Sequence, residues 1–113
     1  MKPKLKKIWV KALRSGEYKQ TKSKLCKDGG FCCLGVAYDV LSDGDWSQDG
    51  NRKTMWGIKD ESLDSNQIDY NMPSPKTLRE WGLSRRNAGI LAELNDAGCT
   101  FEEIAARIEK DDL

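Results

Sequence analysis

The sequence predicts an α+β fold in one small domain over residues 1–113, on three observations. The run Phe31 to Leu41 is apolar at nearly every position in an otherwise polar chain. An amphipathic repeat precedes it over Lys2 to Arg14, and two capped helical patterns follow Ser84. Between these blocks, turn residues and short alternating runs leave room only for small strands. The expected architecture is therefore an N-terminal amphipathic helix, a short β-hairpin or small sheet, a buried central helix and a C-terminal helical hairpin. With 113 residues, 38% of them hydrophobic, the chain can bury a core without disulfide or metal staples.

In the first block Pro3 suits the opening turn of a helix. Leu5, Ile8, Trp9, Ala12 and Leu13 form one apolar stripe, and Lys4, Lys6, Lys7 and Lys11 fall outside it. Ser15-Gly16 ends that helix. Tyr18 to Cys26 alternates and predicts a strand carrying Lys19, Lys22 and Lys24, which the turn at Asp28-Gly29-Gly30 returns into the apolar run. That run is too densely apolar for a helix with one wet face, so it predicts the hub of the core. Gly35 in its middle costs about 1 kcal/mol against Ala, which predicts another backbone passing close by.

From Ser42 to Pro75 the periodicity fails. Asp43 to Asn51 is acidic and turn-rich, and predicts an exposed loop; short strands are expected at Thr54 to Ile58 and Gln67 to Met72. A long irregular stretch in a compact domain commonly lines a binding site, and this one holds Trp46 and Trp56. Pro73 and Pro75 introduce a helical turn through Leu78, Trp81 and Leu83. Ser84 caps a helix reaching Ala97, with Ile90, Leu91, Leu94 and Ala97 on one face. After Gly98, Thr100 and Glu103 make a capping box for a last helix carrying Phe101, Ile104, Ala105 and Ile108.

The charge is unevenly placed. Residues 1–27 carry ten Lys/Arg against the single acid Glu17, whereas residues 28–113 carry nine against seventeen acids. The basic segment calls for an anionic partner or for the protein's own acidic half. No apolar run approaches a membrane span and no signal segment opens the chain, so a cytoplasmic protein with Cys26, Cys32, Cys33 and Cys99 as thiols is expected. The chain has no histidine, which removes the commonest general base and metal ligand. The cysteine spacing lacks a CxxC pair for zinc, and Cys26, near Lys24 and Lys27, is the only thiol with basic neighbours. No enzyme, cofactor or metal is expected. Asp43/Asp45 and Asp111/Asp112 read as solvated charges, and Asn95-Asp96 as groups binding local backbone. Leu94 to Ala105 imitates the opening of a helix-turn-helix, but Glu102, Glu103, Glu109, Asp111 and Asp112 would face phosphates, so specific duplex DNA is not an expected partner.

One constellation suits a ligand. Arg14, Lys19, Lys22 and Lys24 can neutralise phosphates, and Tyr18, Trp46 and Trp56 can stack on a base, with the irregular middle segment closing over them. These seven residues are the expected contacts of a small nucleotide-type ligand.

Three blocks, Trp9-Val10-Lys11-Ala12-Leu13-Arg14-Ser15-Gly16-Glu17-Tyr18-Lys19-Gln20, Phe31-Cys32-Cys33-Leu34-Gly35-Val36 and Leu94-Asn95-Asp96-Ala97-Gly98 followed by Phe101-Glu102-Glu103-Ile104-Ala105, resemble a family of small proteins of bacteriophage and bacterial genomes. The resemblance implies a phage or prophage accessory protein acting in the host cytoplasm against host defence. Such proteins sequester a nucleotide signal as a sponge or block a defence protein. The leading expectation is a non-enzymatic sponge. A protein-directed inhibitor of a host defence effector and a nucleic-acid-binding accessory factor are the alternatives, and homo-oligomerisation stays open. The resemblance carries no catalytic or binding residues over.

Overall fold

The computed structural model describes residues 1–42, 45–48, 54–59 and 68–111. In chain order they form α1 (Pro3–Arg14), β1 (Cys26–Lys27), β2 (Gly30–Phe31), α2 (Cys33–Leu41), β3 (Met55–Trp56), β4 (Ile58–Lys59), β5 (Ile68–Asp69), α3 (Pro75–Trp81), α4 (Arg85–Asp96) and α5 (Phe101–Lys110). The fold is α+β: α1 packs on α5 and α2, α2 packs on α4, and two small antiparallel sheets lie alongside in the orders β2-β1-β3 and β4-β5.

The hub lies where the apolar run predicts it. Cys33, Leu34, Val36 and Ala37 of α2 have no exposed surface. The Sγ of Cys32 caps the helix by accepting from the Gly35 N–H at 3.4 Å. Gly35 is required because a Cβ there would stand 1.9 Å from the carbonyl oxygen of Leu25. The backbone that passes close by is thus that of Leu25, whose carbonyl also accepts from the Cys32 N–H at 3.2 Å. On the other side the indole N–H of fully buried Trp9 donates to the Cys33 carbonyl at 2.9 Å.

Asn95 makes the second fixed point. It has no exposed surface, and its Oδ1 accepts from Gln20 Nε2 at 2.9 Å and from the Cys33 N–H at 3.2 Å, while its Nδ2 donates to the Thr21 carbonyl at 2.8 Å. The expectation that Asn95 binds local backbone is corrected: its partners lie far away in sequence, and it clamps α4 to the segment after α1 and to the start of α2. Asp96 adds to the same clamp by accepting from the Ser23 N–H at 2.8 Å.

That clamp also explains why the strand expected over Tyr18 to Cys26 is short. Gln20 makes one bridge with Phe31, Ser23 takes a φ of 66°, and regular pairing starts at Cys26. The segment divides its backbone hydrogen bonds: the Thr21 carbonyl and the Ser23 N–H go to α4, and the Lys19 carbonyl and the Thr21 N–H go to Phe31 of β2. The run expected as one strand over Thr54 to Ile58 is two. β3 pairs with β1 and β4 with β5, and Gly57 between them bridges Ser47. β5 stops because Asp69 Oδ1 accepts from the N–H groups of Asn71 and Met72. Of the loop expected over Asp43 to Asn51, residues 43–44 and 49–51 lie outside the described residues, as does Gln67.

Two stripe residues are reassigned. Ile8 and Ile90 are 39% and 36% exposed, and Val10 and Ala88 are buried instead. Ala97, expected on the inner face of α4, is exposed. The caps at Ser84 and Thr100 stand as read, each accepting from the N–H three residues on, with Glu103 completing the capping box, and Ser74 caps α3 in the same way.

Candidate ligand-binding cleft

The strand register gathers an aromatic group that adjoins the cleft through Tyr38. Phe31 and Trp56 both stand opposite Cys26, which places all three side chains on one face of the three-stranded sheet. Tyr18 meets Phe31 edge-on with ring centroids 5.1 Å apart, and Trp46 approaches Phe31 at 5.9 Å and Tyr38 at 4.8 Å. Asp39 of α2 holds this group together, accepting from the Tyr18 hydroxyl at 2.6 Å and from the Trp46 indole N–H at 3.2 Å. Burial, followed by the hydrogen bond to Asp39, pushes the Tyr18 phenol up to about 12.

Tyr38 also lines a cleft of about 400 Å³, within the usual range of small-ligand sites. Its walls come from four places: Tyr38 and Ser42 at the end of α2, Asp45 and Ser47 just after it, Ile58 and Lys59 of β4, and Ser74, Lys76, Thr77 and Glu80 around α3. The Tyr38 hydroxyl donates to the Asp45 carbonyl at 2.7 Å, and the Trp81 indole N–H to Ser42 Oγ at 3.1 Å, so α2, the loop after it and α3 are tied round the opening. Ser74 and Thr77 share a hydroxyl contact at 3.0 Å. The lining combines two ammonium groups, two carboxylates and five hydroxyls. Lys59 and Lys76 are exposed and can reach an anion at the mouth, while Asp45 and Glu80 can accept from N–H or O–H donors.

The expected contacts separate. Tyr18 and Trp46 come together around Phe31 and Asp39, and Trp56, 41% exposed, shares the sheet face with Phe31. Arg14 does not join them: at the end of α1 its guanidinium pairs with Glu102 at 3.0 Å and with Glu109. Lys24 Nζ donates to Asn71 Oδ1 at 2.8 Å, and Lys19 and Lys22 are exposed. None of these four cations lines the cleft. The reading of the sequence missed Lys59, Lys76, Ser74 and Thr77. The available signal was Ser74-Pro75-Lys76-Thr77, an N-cap with proline in the first turn and a lysine beside it.

All four cysteines are free thiols, and Cys26, Cys32 and Cys33 are buried. Burial raises Cys26, pushes Cys32 up to about 11 and holds Cys33 well above the ordinary thiol range. These three groups are protonated near neutral pH and are poor nucleophiles or metal ligands there. Among the described residues no three His, Cys, Asp or Glu side chains gather as a metal site, and no helix is long and apolar enough to cross a membrane. Of the two acid pairs, Asp111 bonds Arg107, and Asp43 and Asp112 lie outside the described residues.

A family model spans the whole of this architecture, matching residues 1–112. The chain belongs to the family described as Domain of unknown function (DUF8296). The match covers the Asn95 clamp, the aromatic group and the cleft alike. Comparison with the curated proteins and with the solved structures finds no match.

Proposed function

We propose that the protein binds a small phosphate-bearing nucleotide in the cleft beside Tyr38 and retains it without converting it, as a phage accessory protein that sequesters an immune signal in the host cytoplasm. The observation that carries this reading is the lining of the cleft, where Lys59 and Lys76 accompany five hydroxyls in a space of about 400 Å³. A retained nucleotide needs charge-assisted contacts to phosphate and acceptors for the donors of its sugar and base. Lys59 and Lys76 supply the first, and Asp45 and Glu80 the second. Retention without turnover needs no general base, in keeping with a chain that has no histidine. Trp46, which meets Tyr38 edge-on at 4.8 Å, offers stacking area beside the cleft.

Calorimetry with cyclic dinucleotides and ADP-ribose derivatives tests the reading. Binding should be lost in Lys59→Glu with Lys76→Glu and kept in Lys22→Glu with Lys24→Glu. Thermal stability should hardly change in either, since exposed lysines contribute little to folding. The reverse pattern would return the phosphate contacts to the basic N-terminal segment, and silence across the panel would sink the nucleotide reading.

A further inference from the structure

We infer that the outer face of α1 is a docking groove for an acidic amphipathic helix of a partner protein. Pro3, Lys6, Lys7, Val10, Lys11 and Arg14 recur at steps of three and four residues, which aligns them on one side of α1. They line an open groove of about 860 Å³ with Glu109 of α5 on its far wall. The stripe runs roughly 16 Å, about three helical turns.

The groove has a defined chemistry. Its floor is apolar, built from Pro3, buried Val10 and the methylene stems of the lysines, and its rim is cationic. α5 already supplies acceptors at both ends: Arg14 pairs with Glu102 and Glu109, and Lys6 Nζ donates to the Asp111 carbonyl at 3.0 Å. Lys7 and Lys11, both exposed, have no such acceptor among the described residues. Ile8, 39% exposed, lies on the same helix one turn from Lys4 and Lys11. A cationic rim over an apolar floor complements a helix with an apolar stripe edged by Glu or Asp. It suits a single-stranded nucleic acid poorly, because no aromatic ring lines the groove to stack on a base.

A labelled peptide of leucine and glutamate, patterned for one apolar helical face, serves as the probe in fluorescence anisotropy with the full chain. A scrambled peptide of the same composition and a single-stranded oligonucleotide are the comparators. The patterned peptide should bind and the comparators should not, and Lys7→Glu with Lys11→Glu should weaken binding roughly tenfold or more. Circular dichroism and nucleotide calorimetry on the same double variant should match the parent, which separates this groove from the cleft. No binding, equal binding of the scrambled peptide or tighter binding of the oligonucleotide overturns the inference. Self-association of the parent chain, abolished by the same double variant in sedimentation, would also overturn it, because a second copy would then be the occupant.

Discussion

The side of the molecule around Asn95 and the side around the cleft are built from different materials. At Asn95 two helices and a connecting segment meet around one fully buried side chain, and each of its polar atoms has a partner on a distant element. At the cleft the end of α2, the loop after it, β4 and the first turn of α3 meet; Tyr38, Ile58, Ser74 and Thr77 are buried there, but the charged groups Asp45, Lys59, Lys76 and Glu80 are exposed. A buried hydrogen-bonded junction is expensive to disturb, since any group left without its partner is also cut off from water. An exposed lining can change at little cost to folding. Stability is therefore concentrated at the buried junction, and the exposed side chains of the cleft are the ones free to vary.

That division makes an ordered set of predictions. Gly35→Ala should be the most damaging, because its Cβ meets the Leu25 backbone and not a side chain that can swing aside; a loss of about 3 kcal/mol or more is expected in denaturant unfolding. Asn95→Ala strands the Thr21 carbonyl and the Cys33 N–H, and should cost about 2–4 kcal/mol. A loss below half a unit there would show that the clamp is not what holds α4 in place. Thr100→Ala removes the cap of α5 at the surface and should cost about 1 kcal/mol. Lys76→Ala at the cleft should stay within about 0.5 kcal/mol while weakening nucleotide binding, and a larger loss of stability would blur the division.

Alkaline pH loads the buried core without mutation. Burial raises the Cys32 thiol to about 11, so the folded state favours the neutral form. The stability linked to it is complete below the ordinary thiol value of 9.0 and is lost as pH climbs from there through about 11. The Tyr18 phenol follows the same sign one step higher, between 10.0 and about 12. Thermal midpoints should be level up to about pH 9 and fall above it, and Cys32→Ala should flatten the first part of the fall.

The helices, their caps and the hub were legible because each is written locally: Pro3, Ser84 and the Thr100/Glu103 pair announce helix starts, and the density of apolar residues after Phe31 announces burial. Gly35 was legible too, as a glycine with no local reason to be in a helix. Asn95 was misread because a buried asparagine at a helix end looks the same in sequence as one capping its own turn; only the fold reveals that Gln20, Thr21 and Cys33 arrive there. The cleft was half legible. The irregular middle segment is expected to line a site, and its Asp45, Ser47, Ile58 and Lys59 line the cleft, whereas the lysines of the basic N-terminal segment lie outside that lining. Proximity of Lys59 to Lys76 depends on the β4-β5 hairpin returning the chain to α3, and two-residue strands leave almost no periodic trace.

The packing of α1 against α5 has a consequence for how the chain reaches this state. Trp9, Val10 and Leu13 of α1 are buried in the finished core, and α5 is one of the two helices on which α1 chiefly packs. During synthesis, α1 leaves the ribosome first and cannot be fully covered until Phe101–Lys110 has followed. Contacts between such distant segments form late and slow the search for the native state. For that interval the apolar stripe of α1 and its row of lysines are both open to other molecules, so the nascent chain is a better target for chaperones than the folded protein is.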